Sequence, residues 1–249
     1  VAGTSSDRDS VQRVTYNSIA TDTDPVWGPS QYVVFESSRN GNWDLYMVDM
    51  LTGQEYQLTD SKADDINPFW SSDGSRLLFQ SDRDRVGEEY GWQIYELNLA
   101  TFTVTRLSDG RQIDVEPQYA NDGQHIVYRS YAGDNSVLTI MDADGRHAYT
   151  ITQPTENATN AVWSPQDRYI AYQSNLDGDL DIYIYDVANR VTRKLTDNTI
   201  ADYAPSWLCD ERRVLFTSNS AGNPDIYEAD ATPIELPAIK VNPDADQLT

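Results

Sequence analysis

Short apolar runs recur along the chain and are separated by turns rich in Asp, Gly and Asn. Runs such as Tyr-Val-Val-Phe at residues 32–35 are apolar at consecutive positions, whereas a half-exposed strand would alternate apolar with polar residues. No segment shows a sustained helical period. The pattern therefore predicts a nearly all-β protein whose strands are buried on both faces.

The runs belong to an internal repeat of about 44 residues. The first strand of each unit ends at an aromatic residue, namely Trp27, Trp70, Tyr119, Trp163 or Trp207. A second-strand aromatic follows at Phe35, Phe79, Tyr128, Tyr172 and Phe216, and third strands begin near Asp44, Gln93, Val137, Asp181 and Asp225. The fourth strands are predicted at 57–59, 106–108, 150–152, 194–196 and 247–249. Four short strands per unit indicate a β-propeller blade.

We therefore predict one β-propeller domain over residues 1–249. Its five four-stranded blades lie near 22–59, 65–108, 114–152, 158–196 and 202–249. An N-terminal strand at 11–15 is expected to close the ring, which would remove an exposed edge. The strand at 247–249 offers the same outer position a second time. A six-bladed architecture with one blade missing or supplied elsewhere is the alternative.

Two units depart from the repeat. The second carries a five-residue insertion within residues 82–92, and the last has a longer connection that contains Pro233, Pro237 and Pro243. Loops on one side of a rigid ring often carry function, so these breaks are the first places to search for a site.

Charge narrows the classes of partner. The 249-residue chain has 40 acidic and 18 basic residues, for a net charge of −22. Such a surface repels nucleic acid and anionic lipid, so we expect neither nucleic-acid binding nor direct membrane insertion. A single cysteine, Cys209, excludes an internal disulfide and is expected to be a buried, inert thiol beside Trp207.

The repeated motifs resemble those of the TolB-type (WD40-like) β-propeller family. The resemblance covers residues 13–249 and rests on Asp-x-x-Pro-x-Trp-Ser-x-Asp-Gly, Asp-Ile-Tyr and Leu-Thr, as in Asp65, Pro68, Trp70, Asp73, Gly74, Asp181 and Asp225. It implies a binding scaffold that is periplasmic or extracellular. It also implies that other members form the propeller half of peptidases.

The acidic position of the repeat is occupied by Asp22, Asp65, Asp114 and Asp202. In a propeller these residues would ring one mouth of the central channel, where they would hold a cation or a basic partner loop. The alternative is that each aspartate caps its own inter-blade turn.

An aromatic patch is the second candidate site. Trp43 and Trp92 occupy the same repeat position, where other units have Ser136, Leu180 and Pro224, so the blade core does not require Trp there. Tyr90 and the basic residues Arg39, Arg83 and Arg85 complete the predicted binding face. Tyr and Trp are common binding anchors, but the same residues also pack long loops against their neighbours.

Metal and catalytic sites have weaker support. Asp177 and Asp179 lie in a loop with oxygen ligands at alternate positions, which predicts either a Ca²⁺ site or a solvated Asp-Gly turn. No other cofactor is expected. The two histidines, His125 and His147, belong to no recognisable triad. Glu116 breaks the repeat at the channel mouth, so a glycosidase built on carboxylates is an alternative.

The sequence as a whole predicts a non-enzymatic scaffold that engages a protein partner through one loop face and the acidic channel mouth. The alternatives are a carboxylate-based enzyme acting on glycosides, for which carbohydrate would be the partner, and the propeller half of a peptidase that lacks its hydrolase domain. The expected location is the periplasm or the cell exterior.

Overall fold

The computed structural model describes residues 12–16, 19–84 and 91–232, and its regular secondary structure is all β-strand. Blade 1 contains β1 (Asp22–Trp27), β2 (Tyr32–Ser37), β3 (Asp44–Asp49) and β4 (Glu55–Gln57). Blade 2 contains β5 (Asp65–Trp70), β6 (Arg76–Ser81), β7 (Gln93–Asn98) and β8 (Thr103–Arg106). Blade 3 contains β9 (Asp114–Tyr119), β10 (His125–Ala132), β11 (Asn135–Asp142) and β12 (Tyr149–Thr150). Blade 4 contains β13 (Ala158–Trp163), β14 (Tyr169–Ser174), β15 (Asp181–Asp186) and β16 (Val191–Lys194), and blade 5 contains β17 (Asp202–Trp207), β18 (Arg213–Ser218) and β19 (Asp225–Asp230).

Each blade is an antiparallel sheet whose strands follow one another in chain order. The first four blades have four strands, and the described part of blade 5 has three. The predicted fourth strand at 247–249 lies outside the described residues. The all-β propeller fold and the predicted ends of all five first strands are confirmed. The described part of the chain contains no helix whose length and apolar character would let it cross a bilayer.

Neighbouring blades pack through the aromatic residue that ends each first strand. The Trp70 indole donates its Nε1–H to the Val26 carbonyl of blade 1 at 3.3 Å, and Trp207 donates to the Val162 carbonyl of blade 4 at 3.2 Å. A Cβ atom at Gly28 would lie 2.4 Å from the Trp70 ring, so glycine is required there. The repeated tryptophans are therefore framework residues that connect one blade to the next.

The ends of the array differ from its interior. Trp27, the equivalent of Trp70 in blade 1, is 63% exposed. Val14 and Thr15 lie beside Pro25, Val33 and Phe35 on the free face of blade 1. Within the described ranges, blades 1 and 5 show no packing comparable to that between consecutive blades. Closure of the ring by residues 11–15 stays a prediction.

The outer strands end earlier than predicted. Leu58, Leu107, Ile151 and Leu195 were placed inside the fourth strands, but each lies just beyond the end of its strand. The Thr or Ser that directly follows each of these residues explains the difference. Thr59 Oγ1 accepts the Leu45 N–H at 2.9 Å, and Thr196 Oγ1 accepts the Ile182 N–H at 3.0 Å. A side chain thus takes the ladder bond that a fourth-strand carbonyl would accept, and the strand stops.

Candidate functional site

Every innermost strand contains a β-bulge at its third residue. The ladder registers shift there, and the bulged residues have positive φ angles near 50°. They are Asp24, Asn67, Glu116, Asn160 and Ala204. This conformation is unusual for residues other than Gly, Asn and Asp, so Glu116 and Ala204 are the exceptional residues of this set. The bulge turns a backbone N–H away from its own sheet and towards the preceding blade.

A side chain from the preceding blade accepts this N–H at three junctions. Glu36 Oε1 accepts from Asn67 N at 2.6 Å, and Gln80 Oε1 accepts from Glu116 N at 3.0 Å. Gln173 Oε1 accepts from Ala204 N at 2.8 Å. The equivalent residue between blades 3 and 4 is Arg129, whose guanidinium has donors only. Blade 3 therefore lacks the acceptor that the other three junctions use.

Arg129 pairs with Glu116 of its own blade instead. Its Nη2 is 2.7 Å from Glu116 Oε1, and its guanidinium carbon lies 5.0 Å from the centre of the Tyr131 ring. The Arg129 Nε is buried without a hydrogen-bond partner among the described residues. The ion pair and the arginine–aromatic contact hold the guanidinium in one orientation.

These residues line an open cavity of about 310 Å³ between blades 2 and 3. Its walls combine two aromatic side chains, two apolar side chains, two amides and the ion pair. They are Trp92, Tyr131, Ile113, Val115, Asn67, Gln80, Glu116 and Arg129. We call this site the blade 2–3 cavity. An aromatic and apolar wall with a few fixed polar groups is typical of a ligand-binding site.

The predicted aromatic patch is divided by the structure. Trp92 lines the blade 2–3 cavity, whereas Trp43 is half-buried at the junction of blades 1 and 2. The Trp43 N–H donates to Asp64 Oδ1 at 2.9 Å, and its carbonyl accepts from the Asp65 N–H at 2.8 Å. Tyr90 and Arg85 lie outside the described residues. The binding role of this patch stays a prediction.

Arg39 and Arg83 are engaged within their own blades. Each guanidinium lies over a stacked aromatic pair, with Arg39 4.1 Å from the Tyr46 ring centre and Arg83 4.8 Å from that of Tyr95. Arg83 Nη2 also donates to both carboxylate oxygens of Asp65, at 2.8 and 2.9 Å. These contacts make both arginines structural, whether or not a partner also contacts them.

The four repeated aspartates have local partners. Asp65 pairs with Arg83, Asp22 with Arg39, and Asp202 accepts from Asn198 at 2.8 Å. Asp114 accepts from the Ser130 hydroxyl at 2.5 Å, and burial raises the pKa of Asp114 to about 6 against that hydrogen bond. Asp65, Asp114 and Asp202 are all buried. Side-chain partners thus hold all four aspartates, and both turn capping and a cation held by these residues stay predictions.

The predicted calcium loop already contains a cation from the chain itself. Carboxylate oxygens of Asp177, Asp179 and Asp181 lie within 4.8 Å of one another. The Lys194 ammonium forms ion pairs with Asp177, with Asp181 at 2.8 Å and with Asp197 at 2.8 Å. These carboxylates raise the pKa of Lys194, although partial burial opposes the shift. A Ca²⁺ ion here would compete with the ammonium group.

Of the residues that line the cavity, the sequence singled out Trp92 and Glu116 but not the others, which include Arg129 and Tyr131. The sequence feature that could have revealed Arg129 is the middle position of the Phe-x-Ser motif. The five units have Glu36, Gln80, Arg129, Gln173 and Thr217 there. Arginine is the one basic residue in that set, and Tyr131 follows two positions later. The prediction for Cys209 was wrong, because this residue is exposed in the turn after β17, beyond the packing of Trp207.

The five sheets and the junctions between them define a β-propeller protein. The sequence model of the TolB beta propeller domain matches residues 107–244, more than half of the chain. The protein therefore belongs to the TolB β-propeller family. No curated protein matches the sequence.

Solved structures share the fold at low identity. TolB from Acinetobacter baumannii is 19% identical with a TM-score of 0.62, and the match covers 85% of this chain and 55% of that one. Dipeptidyl peptidase 4 from Porphyromonas gingivalis is 13% identical with a TM-score of 0.66, covering 88% of this chain and 38% of that one. The present chain thus spans about half the length of the TolB structure. Similarities at this level show the fold alone.

Proposed function

We propose that this protein is a non-enzymatic binding module that holds a segment of a protein partner in the blade 2–3 cavity. The observation that carries the proposal is the Arg129–Glu116 pair between Trp92 and Tyr131. Aromatic side chains and arginine are the residue types most enriched among interface hot spots. By family membership we also propose that the protein works in the periplasm or outside the cell.

The irregularity of this site supports a functional role. An arginine at position 129 removes the acceptor that Gln80 and Gln173 provide at their junctions. Departures from locally favourable choices concentrate at functional sites in natural proteins.

Charge indicates the character of the partner. The net charge of −22 attracts a basic protein surface over a long range and repels an acidic one. Inside the cavity the charges of Glu116 and Arg129 offset each other. The contacts made there would therefore be aromatic packing and hydrogen bonds from an inserted segment.

The test is capture of partners by matched variants. The protein is immobilised through Cys209, which is solvent-exposed, and is incubated with extract from its source cells. Captured proteins are quantified by mass spectrometry. Trp92→Ala removes one cavity wall. Arg129→Gln breaks the ion pair and restores the junction acceptor, so we expect it to fold at least as stably as the native chain. Phe102→Ala, at an exposed aromatic residue in the outer hairpin of blade 2, is the control.

We expect a defined set of proteins to bind the native chain and Phe102→Ala but to be lost from the other two variants. Equal capture by all four proteins would contradict the proposal. Thermal unfolding of each variant separates lost binding from lost fold.

The glycosidase alternative has a separate test. Glycoside hydrolysis generally requires two carboxyl groups on either side of the bond, and Glu116 is the one carboxylate among the described residues that line the cavity. Hydrolysis of a panel of glycans is measured for the native protein and for Glu116→Gln. Turnover that disappears in this variant would replace the binding proposal with an enzymatic one.

The peptidase alternative rests on fold similarity alone. Peptidases appear among the similar structures, and this chain covers 34% to 38% of their lengths. Because the identities to these peptidases are only 13% to 14%, they show the fold alone, and we place this alternative behind the binding proposal.

A further inference from the structure

Both histidines of the chain lie at one rim of blade 3, close to Asp142. His125 begins β10 and Asp142 ends β11, and the two residues are direct partners across the antiparallel ladder. His147 lies in the turn that follows β11, where its Nδ1 is 2.6 Å from Asp142 Oδ2. The ladder register and the turn thus place two imidazoles at one rim, the His147 ring in contact with Asp142 and the His125 ring facing Asp122.

The backbone supports this arrangement from both sides. Direct partners in an antiparallel ladder project to the same face of the sheet, with Cβ atoms about 5 Å apart. The turn after β11 is closed by hydrogen bonds from Asp142 N to Arg146 O and from Gly145 N to Asp142 O, each 2.9 Å. His147 has a φ of 53°, a left-handed conformation that is uncommon for histidine. The strained residue is the one whose imidazole reaches Asp142.

The surroundings leave room for an ion. All three side chains are solvent-accessible, and a cavity of about 680 Å³ opens beside His125 and Asp142. Asp122 and Asp144 add negative charge at the same rim, while Arg146 pairs with Asp144 at 3.5 Å. The positive group facing them from blade 2 is Arg76, which is already paired with Glu96 at 3.1 Å.

We propose that His125, Asp142 and His147 form a binding site for a divalent transition-metal ion of the zinc type. Imidazole nitrogen and carboxylate oxygen are the ligands that Zn²⁺ takes in three-residue sites with an open fourth position. Tetrahedral bonds of about 2.0 Å would separate His147 Nδ1 from Asp142 Oδ2 by about 3.3 Å. The ion therefore replaces their hydrogen bond with a shift of less than about 1 Å.

His125 must turn to complete the site. Its Nδ1 now faces Asp122 Oδ2 at 3.6 Å, a distance too long for a strong pairing. The imidazole is partly exposed, so rotation from Asp122 towards Asp142 displaces no core residue. The fourth position faces solvent, where water or a side chain of another molecule would complete the coordination.

Calorimetric titration of the untagged protein with ZnCl₂ at neutral pH tests the proposal. We expect one saturable site that excess Mg²⁺ does not displace, because Mg²⁺ prefers oxygen ligands and a full octahedral shell. Both histidines are on the surface, so His125→Gln and His147→Gln should fold normally. Loss of a residue that only hydrogen-bonds to a metal ligand weakens metal binding roughly 10- to 100-fold. Each histidine variant should weaken Zn²⁺ binding by at least this factor.

Asp144→Asn is the matched control, because this exposed aspartate lies at the same rim but is not a proposed ligand. This variant should bind Zn²⁺ with an affinity within a few-fold of that of the native protein. Zn²⁺ should also protect both histidines from modification by diethyl pyrocarbonate. The proposal fails if no saturable Zn²⁺ binding occurs at millimolar concentration. It also fails if the double histidine variant retains native affinity, or if Mg²⁺ competes equally, because either result would indicate general attraction to an acidic surface.

Discussion

Glu36 is a buried carboxyl at a position where two other blades use glutamine. Burial, with a smaller contribution from the nearby Asp24 charge, raises the pKa of Glu36 to about 7, although the hydrogen bond from Asn67 N opposes the shift. A carboxyl group whose pKa is higher in the folded than in the unfolded chain binds more protons when folded. Glu36 therefore favours folding at low pH, and this contribution falls as the pH rises from about 4.3 to about 7.

We expect Glu36→Gln to stabilise the protein at pH 8 by about 1 to 3 kcal/mol and to have little effect at pH 4. The amide keeps an acceptor for Asn67 N, as Gln80 and Gln173 do at their junctions, but carries no charge. Urea unfolding at several pH values measures the effect. The reverse variant, Gln80→Glu, should lose stability at pH 8. Identical pH dependence in the native protein and Glu36→Gln would show that Glu36 stays hydrated.

The hydroxyl residue that follows each fourth strand has two roles in the blade. The hydroxyl that stops the fourth strand also contacts the first residue of the third strand, as Thr196 Oγ1 does with Asp181 Oδ1 at 3.0 Å and Ser108 Oγ with Gln93 Oε1 at 2.8 Å. Asp181 is therefore part of the blade edge as well as of the acidic loop. In blade 4 the Lys194 ammonium neutralises this buried group and its neighbours.

Replacement of Lys194 should reveal a latent calcium site. Lys194→Met leaves Asp181 as a buried charge near Asp177 and Asp179, so we expect a loss of about 1 to 3 kcal/mol in the free energy of unfolding. Added Ca²⁺ should restore the melting temperature of this variant, whereas neither Ca²⁺ nor a chelator should change that of the native protein. Equal stabilisation of the native protein by Ca²⁺ would show that the ion displaces the ammonium.

The acidity of the molecule governs how partners approach it. The chain has a net charge of −22, while the blade 2–3 cavity holds an opposed ion pair. For the proposed partner, long-range attraction would therefore act mainly on the association rate, and contacts within the cavity would act mainly on the dissociation rate.

We expect the association rate with the captured partner to fall at least about ten-fold between low salt and 0.5 M salt, where the Debye length is only a few ångströms. The dissociation rate should change much less. In contrast, Trp92→Ala should raise the dissociation rate at every salt concentration. Surface plasmon resonance gives both rates. A salt-independent association rate would exclude electrostatic steering by the acidic surface.

The repeat was predictable because local chemistry controls it. Consecutive apolar residues, Asp-Gly turns and an aromatic residue at the end of each first strand depend on short stretches of chain, and all five of those strands end at the predicted residues. The fourth strands were placed too far along the chain, because the motif Leu-Thr was interpreted as strand. Its threonine instead competes with the backbone for the ladder hydrogen bond.

The sites required the folded chain, because they depend on contacts between residues far apart in sequence. The packing of blades 2 and 3 brings together Trp92, Glu116 and Arg129, which are separated in the sequence. The register of β10 and β11 makes His125 and Asp142 ladder partners. Periodicity in the sequence was sufficient for an all-β propeller, since each blade repeats the same local pattern. It could not show that Arg83 neutralises Asp65, or that Lys194 fills the acidic loop. Those pairings follow from side chains that meet only when the strands have assembled into sheets.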